Sequence, residues 1–405
     1  MSAANATLGA ATRLLHAGAP ALRGGSGPVN VPVVRTSTVR FENTTAYADH
    51  HHRRLAGERV ASYGRHGLET HRALEDAMTA LEGGHRAFLA PSGLAAITLV
   101  LLALLSPGDH ALVADSVYAP VRRVDATLLQ RLSITLEYFS PSQDDLATKI
   151  RANTKLVYVE SPSSLIYEVL DLPAIAAVAR ARGIPVVADN TWSGGWFYKP
   201  LTLGANISIQ AATKYIAGHS DVMQGIVVTE SQEFTEKVTS AYEALGLSIG
   251  ADDAYLALRG MRTLPVRLAQ HQRNATLVAQ WLQDQSQVGR VFYPALPSDP
   301  GHALWKRDFS GASGLVSFAF AEGTDAHAAD AFVDALQHFG IGASWGGYES
   351  LALAAQPERL REHSAWQRPE PVVRLHIGLE DPADLVADLE QAFEHVHSVR
   401  QRAVA

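Results

Sequence analysis

The chain has 405 residues, 47% of them hydrophobic and 19% charged, a balance that suits a folded globular protein and excludes a fibrous or disordered one. Its 34 basic residues against 41 acidic ones leave a net charge of −7, which sets the overall field against a polyanion such as DNA. There is no cysteine, which excludes thiol nucleophiles, disulfides, iron–sulfur clusters and cysteine-based zinc sites together, and only six of the basic residues are lysines.

At about 150 residues per domain the length suggests two or three domains. The apolar stretch 94–105, broken by Thr98, falls short of the roughly 20 residues that a membrane-spanning helix needs. The first residues lack a basic start followed by an apolar run, so a cytoplasmic protein without a secretory signal is expected. Residues 1–62, rich in Gly, Ala and Pro, read as an arm without a core of its own. From Leu68 the pattern changes: Leu74, Met78 and Leu81 share one helical face, and Gly83-Gly84 ends the helix. Strands are expected at 85–90, 110–116, 134–139, 154–160, 184–190, 207–213 and 225–230, with helices such as 93–105 and 172–183 between them. Near-continuous Val/Ile/Leu strands alternating with helices spell a three-layer α/β domain, a mainly parallel seven-stranded sheet covered on both faces. Beyond about residue 260 long helices dominate. Pro265 opens one, 315–322 and 372–378 read as half-buried strands, and Asp381-Pro382 opens the last helix. The expected division is an arm (1–62), an α/β domain (63–260) and a smaller α+β domain (261–405).

In such a sheet ligands gather at the carboxyl ends of the strands. The strand at 184–190 ends in Asp189, and the strand at 207–213 runs into Thr213 and Lys214. The strand at 85–90 is followed by Pro91-Ser92-Gly93-Leu94 and an apolar helix, a turn whose free backbone N–H groups suit a phosphate. Tyr118 follows the strand at 110–116. Taken singly, each has a plain structural reading: a cap or turn for Asp189, a surface lysine for Lys214, a helix cap for Ser92 and Gly93, a packed rim residue for Tyr118. Together they describe a phosphate cradle, a flat aromatic, a carboxylate and a lysine around one cleft. Pyridoxal phosphate requires that set: an amine to bond its aldehyde, an acid to keep its pyridine nitrogen protonated, and donors for its phosphate.

The motifs SYGRHG (62–67), TALEGG (79–84), PSGLAA (91–96), ESP (160–162), DNTW (189–192), SIQAATKYIAGHSD (208–221), RGMRTLPVRLAQH (259–271), HALWKRDFSGASGL (302–315), SWGGYESL (344–351) and VRLHIGLED (373–381) are similar in order and content to one family. The chain resembles the cystathionine β-lyases of the Cys/Met-metabolism group of fold-type I pyridoxal-phosphate enzymes, from about residue 8 to 397. The resemblance implies α,β-elimination of cystathionine, in methionine biosynthesis, by a carbon–sulfur lyase. It implies that Lys214 bonds the cofactor and carries the Cα proton, that Asp189 pairs with the pyridine nitrogen, and that Tyr118 stacks on the ring as a second catalytic residue. Gly93, Leu94 and Thr213 would hold the phosphate with Tyr63 and Arg65 of a neighbouring copy, and Arg374, Ser344 and Trp345 the substrate carboxylate. Tyr242 would lie near the site. A homotetramer, built as a dimer of dimers with shared active sites, is implied as well. The pattern departs from the family at His66, where related chains often carry a second arginine, and at Ala343, where close bacterial lyases carry an aromatic; the first bears on recognition of a distal substrate carboxylate, the second on the width of the pocket.

Strand alternation independently sets Arg374 and His376 on the face opposite Val373, Leu375 and Ile377. A guanidinium is the natural fork for a carboxylate, although an ordinary exposed strand arginine would fit the same pattern. For Tyr63 and Arg65 only the family pattern speaks against a solvated polar segment. His50, His51 and His52 cannot converge on one metal ion from consecutive positions, and His219 and Asp221 read as structural groups near the lysine. Three other readings are a cysteine-S-conjugate β-lyase or γ-enzyme on the same cofactor, a nicotinamide oxidoreductase, and a silent scaffold. The second lacks its GxGxxG after the first strand, and the third is opposed by the intact Lys214, Asp189 and Arg374.

Overall fold

The computed structural model describes residues 8–20, 22, 24–141, 144–325, 327–356 and 370–404, with side chains as far as residue 396. The first sheet has seven strands: β1 (Arg86–Ala90), β2 (His110–Ala114), β3 (Thr135–Phe139), β4 (Thr154–Glu160), β5 (Val186–Asp189), β6 (Ile207–Ala211) and β7 (Gly225–Thr229), in the order β1-β7-β6-β5-β4-β2-β3. Strands β3, β2, β4, β5 and β6 run parallel, and β7 is antiparallel to both its neighbours. The reversal in β7 leaves β1 pointing the same way as β6, so Ala90, Gly225 and Ala211 stand abreast at one edge of the sheet. Register brings Glu160 beside Asp189 at the same edge. The fold thereby collects the expected chemistry along one line.

Alternation on the strands builds a core on each face. Phe88, Ile209 and Val227 enter one cluster, whereas Ala87, Leu89, Ile226 and Val228 enter the other with Leu74, Met78 and Leu81 of the helix Glu69–Glu82. That helix stops where Gly83 adopts the left-handed conformation, φ 72°, which glycine enters without steric cost. The helix Gly93–Leu104 is apolar on nearly every side because it lies between β6, β7 and the helix Gln232–Leu245. Ser92 caps it, accepting the Ala95 N–H at 3.1 Å, a contact worth about 1 kcal/mol.

The second sheet has five strands, β8 (Val288–Phe292), β9 (Leu315–Phe320), β10 (Gly340–Ile341), β11 (Leu351–Ala355) and β12 (Val372–His376), in the order β10-β11-β12-β9-β8. Two corrections to the sequence reading arise here. Only β9 and β12 were expected; β8 carries Gly289 and Arg290, β10 has two residues, and the alanine-rich β11 has no strand signature. The strands β9 and β12 are buried on both faces, not half-buried. Their polar face is covered by protein: Ser317 donates to the Leu165 carbonyl at 2.7 Å, and Arg374 and His376 bond the loop 342–349. The helices Leu264–Gln283 and Pro382–Val404 follow Pro265 and Asp381 as expected.

Within residues 8–62 the chain forms two helices that the sequence reading did not anticipate, Ala10–His16 and Thr44–Leu55. The second carries His50, His51 and His52 and buries none of its residues. Leu14 and Val31 do reach the core around Leu74. Among the described residues no helix is long and apolar enough to cross a membrane, and no cluster of three His, Cys, Asp or Glu could hold a metal ion.

Candidate active site

The strand β5 delivers Asp189 to the sheet edge, where it is 6% exposed. Thr191 fixes one carboxylate oxygen twice: its N–H donates at 2.9 Å and its hydroxyl at 2.6 Å, both to Oδ1. The Tyr158 hydroxyl donates to Oδ2 at 3.4 Å. The Thr191 oxygen also accepts the Ala211 N–H at 2.9 Å, latching the ends of β5 and β6 together. Burial pushes the Asp189 carboxyl above the usual carboxylate range, and no cationic side chain among the described residues pairs with it. A buried acid in that state lacks a counter-charge.

Strand β6 ends at Ala211, two residues before the expected limit, and Lys214 stands in the turn beyond, its N–H donating to the Ala211 carbonyl at 3.0 Å. The Lys214 amine donates to the Ser344 hydroxyl at 2.7 Å and lies 5.1 Å from the centre of the Trp345 ring. No carboxylate among the described residues reaches it. Burial, aided by the Arg374 guanidinium, lowers its pKa to about 8.

Arg374, on β12, is 7% exposed, and burial lowers its pKa as well. Its fork donates to three loop carbonyls, those of Gly342 (3.0 Å), Ala343 (3.1 Å) and Ser344 (3.0 Å), and its Nε has no partner. A buried guanidinium with no acid beside it among the described residues, and with its Nε–H and one Nη1 hydrogen left over, suits an incoming carboxylate.

At the end of β1 a Cβ on Gly93 would lie 2.8 Å from the Ala211 Cβ, so only glycine lets the start of the following helix come this close to β6. The first-turn N–H groups of Gly93 and Leu94 are among the donors that a helix leaves without an internal partner. Thr213 faces the same corner, but its hydroxyl is engaged with the Gln224 backbone, at 2.9 Å to N and 3.2 Å to O. Tyr118, 46% exposed, is held through its backbone N–H by Glu160 at 2.6 Å; burial, then Glu160 and Asp189, raise its phenol pKa.

The chain does not bring Tyr63 and Arg65 to this cleft. Arg65 donates to the Glu243 carbonyl at 3.4 Å and, with Arg54, His66, Arg86 and Tyr242, lines a separate cleft; Tyr63 is 44% exposed. Burial lowers the His66 pKa, assisted by Arg54 and Arg65. The Tyr242 hydroxyl donates to the Leu89 carbonyl at 2.9 Å, behind the turn that follows β1. His219 bonds the Ala217 carbonyl, and Asp221 is exposed. Thr191, Tyr158 and Glu160 escaped the sequence reading. Thr191 alone had a signal, a hydroxyl two residues past a strand-end aspartate.

The residues present fit pyridoxal phosphate. An unpaired buried acid awaits a protonated ring nitrogen, an amine of lowered basicity awaits an aldehyde, and a helix start held close by glycine awaits a phosphate.

Comparison with known proteins agrees. The model of the Cys/Met metabolism PLP-dependent enzymes matches residues 11–394. A Bordetella avium protein named cystathionine beta-lyase is 50% identical over 371 residues, 91% of this chain and 93% of that protein. The Escherichia coli (strain K12) protein named cystathionine beta-lyase MetC is 41% identical over 91% of this chain and 94% of its own length. A solved structure of cystathionine gamma synthase from Xanthomonas oryzae, in complex with aminoacrylate and cysteine, superposes with a TM-score of 0.87 at 33% identity and covers 96% of this chain and 99% of that one. With a shared sequence along nearly its whole length and a shared fold, the chain belongs to the Cys/Met-metabolism family of pyridoxal-phosphate-dependent enzymes.

Proposed function

We propose that this enzyme cleaves the Cβ–S bond of L-cystathionine by α,β-elimination, taking up one water and giving homocysteine, pyruvate and ammonia. The observation that carries the reading is the placement of three ionisable groups: Asp189 and Lys214 stand at one edge of the first sheet, Arg374 of β12 holds the loop whose Ser344 accepts from the Lys214 amine, and none of the three has an oppositely charged partner among the described residues. Relatives named cystathionine beta-lyase, up to 50% identical, support the substrate.

Bound pyridoxal phosphate supplies an aldehyde that bonds amines and a ring that takes up the electrons left when the Cα proton departs. Arg374, with Ser344 and Trp345 beside it, holds the substrate carboxylate and so fixes the direction in which the Cα–H bond points. Lys214 would be both the amine that holds the cofactor and the base that takes the Cα proton. Its lowered pKa keeps a neutral fraction near pH 8, as a base requires. Asp189 would keep a proton on the ring nitrogen, Tyr118 would pack on the ring, and Gly93, Leu94 and Thr213 would hold the phosphate. The partner subunit's Tyr63 and Arg65 would complete that phosphate site, because in their own chain Arg65 donates to the Glu243 carbonyl and Tyr63 packs edge-on against His66. We place residues 1–62 as the arm that reaches the second copy, 63–260 as the cofactor domain and 261–405 as the smaller domain, in a cytoplasmic tetramer of paired dimers.

Assay of the purified enzyme with cystathionine, cystine and methionine tests the reaction. Pyruvate is expected from cystathionine; 2-oxobutyrate as the main keto acid would replace the β-lyase with a γ-lyase. Turnover of cystine far above cystathionine would widen the substrate to cysteine S-conjugates.

A shared site makes a second prediction. Arg65→Ala and Lys214→Ala subunits, each inactive alone, should on mixing recover about a quarter of the native activity, since half the random dimers are mixed and each holds one intact site. No recovery, with subunit exchange verified by mass, would place each site within one chain.

A further inference from the structure

The loop 342–349 carries two of the residues that face Lys214, yet it is tied down mostly by side chains of one strand, β12. Arg374 holds its first part through the carbonyls of residues 342–344. His376, two residues on and fully buried, holds the rest: its Nε2 accepts the Gly346 N–H at 3.1 Å, and its Nδ1 bonds the Glu349 carbonyl at 3.0 Å. A carbonyl only accepts and a backbone N–H only donates, so the two bonds together require one tautomer, neutral and protonated at Nδ1.

Gly346 is where the loop meets the catalytic turn. It adopts φ +95°, and a Cβ there would lie 2.8 Å from the Lys214 carbonyl carbon and 2.9 Å from its Cα. The loop backbone therefore rests on the Lys214–Tyr215 peptide at a contact that only glycine permits. The residues on either side of Lys214's amine, Ser344 (hydrogen bond 2.7 Å) and Trp345 (ring centre 5.1 Å), precede that glycine directly.

We infer that His376 is a positioning residue for catalysis: by joining Gly346 to Glu349 through its neutral Nδ1–H form, it sets Ser344 and Trp345 against the Lys214 amine. The groups facing its ring preserve that form. His271 of the helix Leu264–Gln283 lies 5.2 Å away between ring centres, Tyr215 lies 5.9 Å away, and Arg374 and Lys214 add positive charge nearby. Burial first, then His271, holds the imidazole well below its ordinary pKa. A second proton would turn Nε2 into a donor facing the Gly346 donor, and the loop would lose its hold. The inference rests on Lys214 being the cofactor-bearing lysine.

The test uses holoenzyme. His376→Ala removes both bonds, whereas the amide of His376→Gln reaches the Nε2 position and can accept the Gly346 N–H. For His376→Ala we expect full cofactor content after alkaline release and a kcat for cystathionine lower by about 10- to 100-fold, the scale of a misplaced reacting group. The pH midpoint of the lysine-linked chromophore should move by about half a unit or more. His376→Gln should regain most of the kcat and the native midpoint. A His376→Ala enzyme with a lower Tm but native kcat, KM and midpoint would overturn the inference and reduce His376 to a packing group. Should His376→Ala not fold, His376→Asn, which reaches only the Glu349 side, replaces it: equal kcat and midpoint in the Asn and Gln variants overturn the inference. Lys214→Ala run alongside separates the two levels. A lysine-linked chromophore persisting there sinks the underlying reading; its loss, with no effect at position 376, sinks only this one.

Discussion

Lys214→Ala is expected to lose the visible chromophore of the lysine-linked cofactor and to lower kcat by at least about 10⁴-fold, the scale seen when a central nucleophile or base is removed. Both effects would follow from the two tasks proposed for this one amine, anchoring the cofactor and moving the Cα proton. The other five lysines are placed elsewhere, and Lys155 and Lys306 are exposed. Lys199 is committed to the carbonyls of Leu81 and Gly195 at 2.5 Å each, Lys149 to Glu137 and Asp144, and Lys237 to Glu233. Reduction of the native enzyme with borohydride should fix the cofactor to the peptide containing residue 214, as read by mass spectrometry. The pH dependence of loading offers a second readout. Burial and the nearby Arg374 disfavour the ammonium form, so uptake of cofactor by the cofactor-free enzyme should rise through about pH 8 and level above it. A rise centred where an ordinary lysine titrates would overturn the lowered pKa, and a lysine-linked chromophore surviving in Lys214→Ala would remove Lys214 from the site.

The residues that a strand end exposes were legible in the sequence because two local rules coincide there. Asp189 and Lys214 follow apolar runs of strand length, and a parallel sheet sends such ends to one edge. Arg374 and His376 were legible as sharing a face through simple alternation. What they touch was not. The loop they hold lies about 30 residues earlier in the chain, and nothing in the local pattern of 342–349 marks it as packed on Lys214. The same long-range covering misled the burial of β9 and β12: their polar residues predict a wet face, but Ser317, Arg374 and His376 spend their hydrogen bonds on neighbouring loops. Strand β11, Leu-Ala-Leu-Ala-Ala, is a strand because β12 and β10 flank it, which overrides the helical preference of alanine. The Thr191 latch needed the register of β5 on β6, which no single strand discloses. Tyr63 and Arg65 mark another boundary. Their family pattern was visible, but within this chain Arg65 lies against Glu243 and Tyr63 against His66.

Asp189→Asn is the other change expected to be severe, and its effect should reverse sign between the loaded and the empty enzyme. The amide keeps the volume of the carboxyl, and its oxygen can still accept the two bonds from Thr191. What it loses is the charge, and its NH₂ group would face the ring nitrogen as a donor, which favours the unprotonated ring. Removing one member of a buried charge pair costs about 3–5 kcal/mol, so kcat/KM for cystathionine should fall about 10²- to 10⁴-fold. In the cofactor-free enzyme no cation among the described residues pairs with the carboxylate, and burial raises its pKa above that of the unfolded chain. An acid with a raised folded pKa stabilises the fold only at low pH, and that contribution is lost as pH rises through the folded value. At neutral pH the empty Asp189→Asn protein should therefore melt at or above the native temperature, while the loaded variant melts below the loaded native enzyme. Calorimetry of the four samples, alongside kcat/KM, separates a charge partner of the cofactor from a plain structural acid. A structural acid would lower Tm equally with and without cofactor and leave kcat/KM within about threefold, because its hydrogen bonds to Thr191 and Tyr158 would then be its whole contribution.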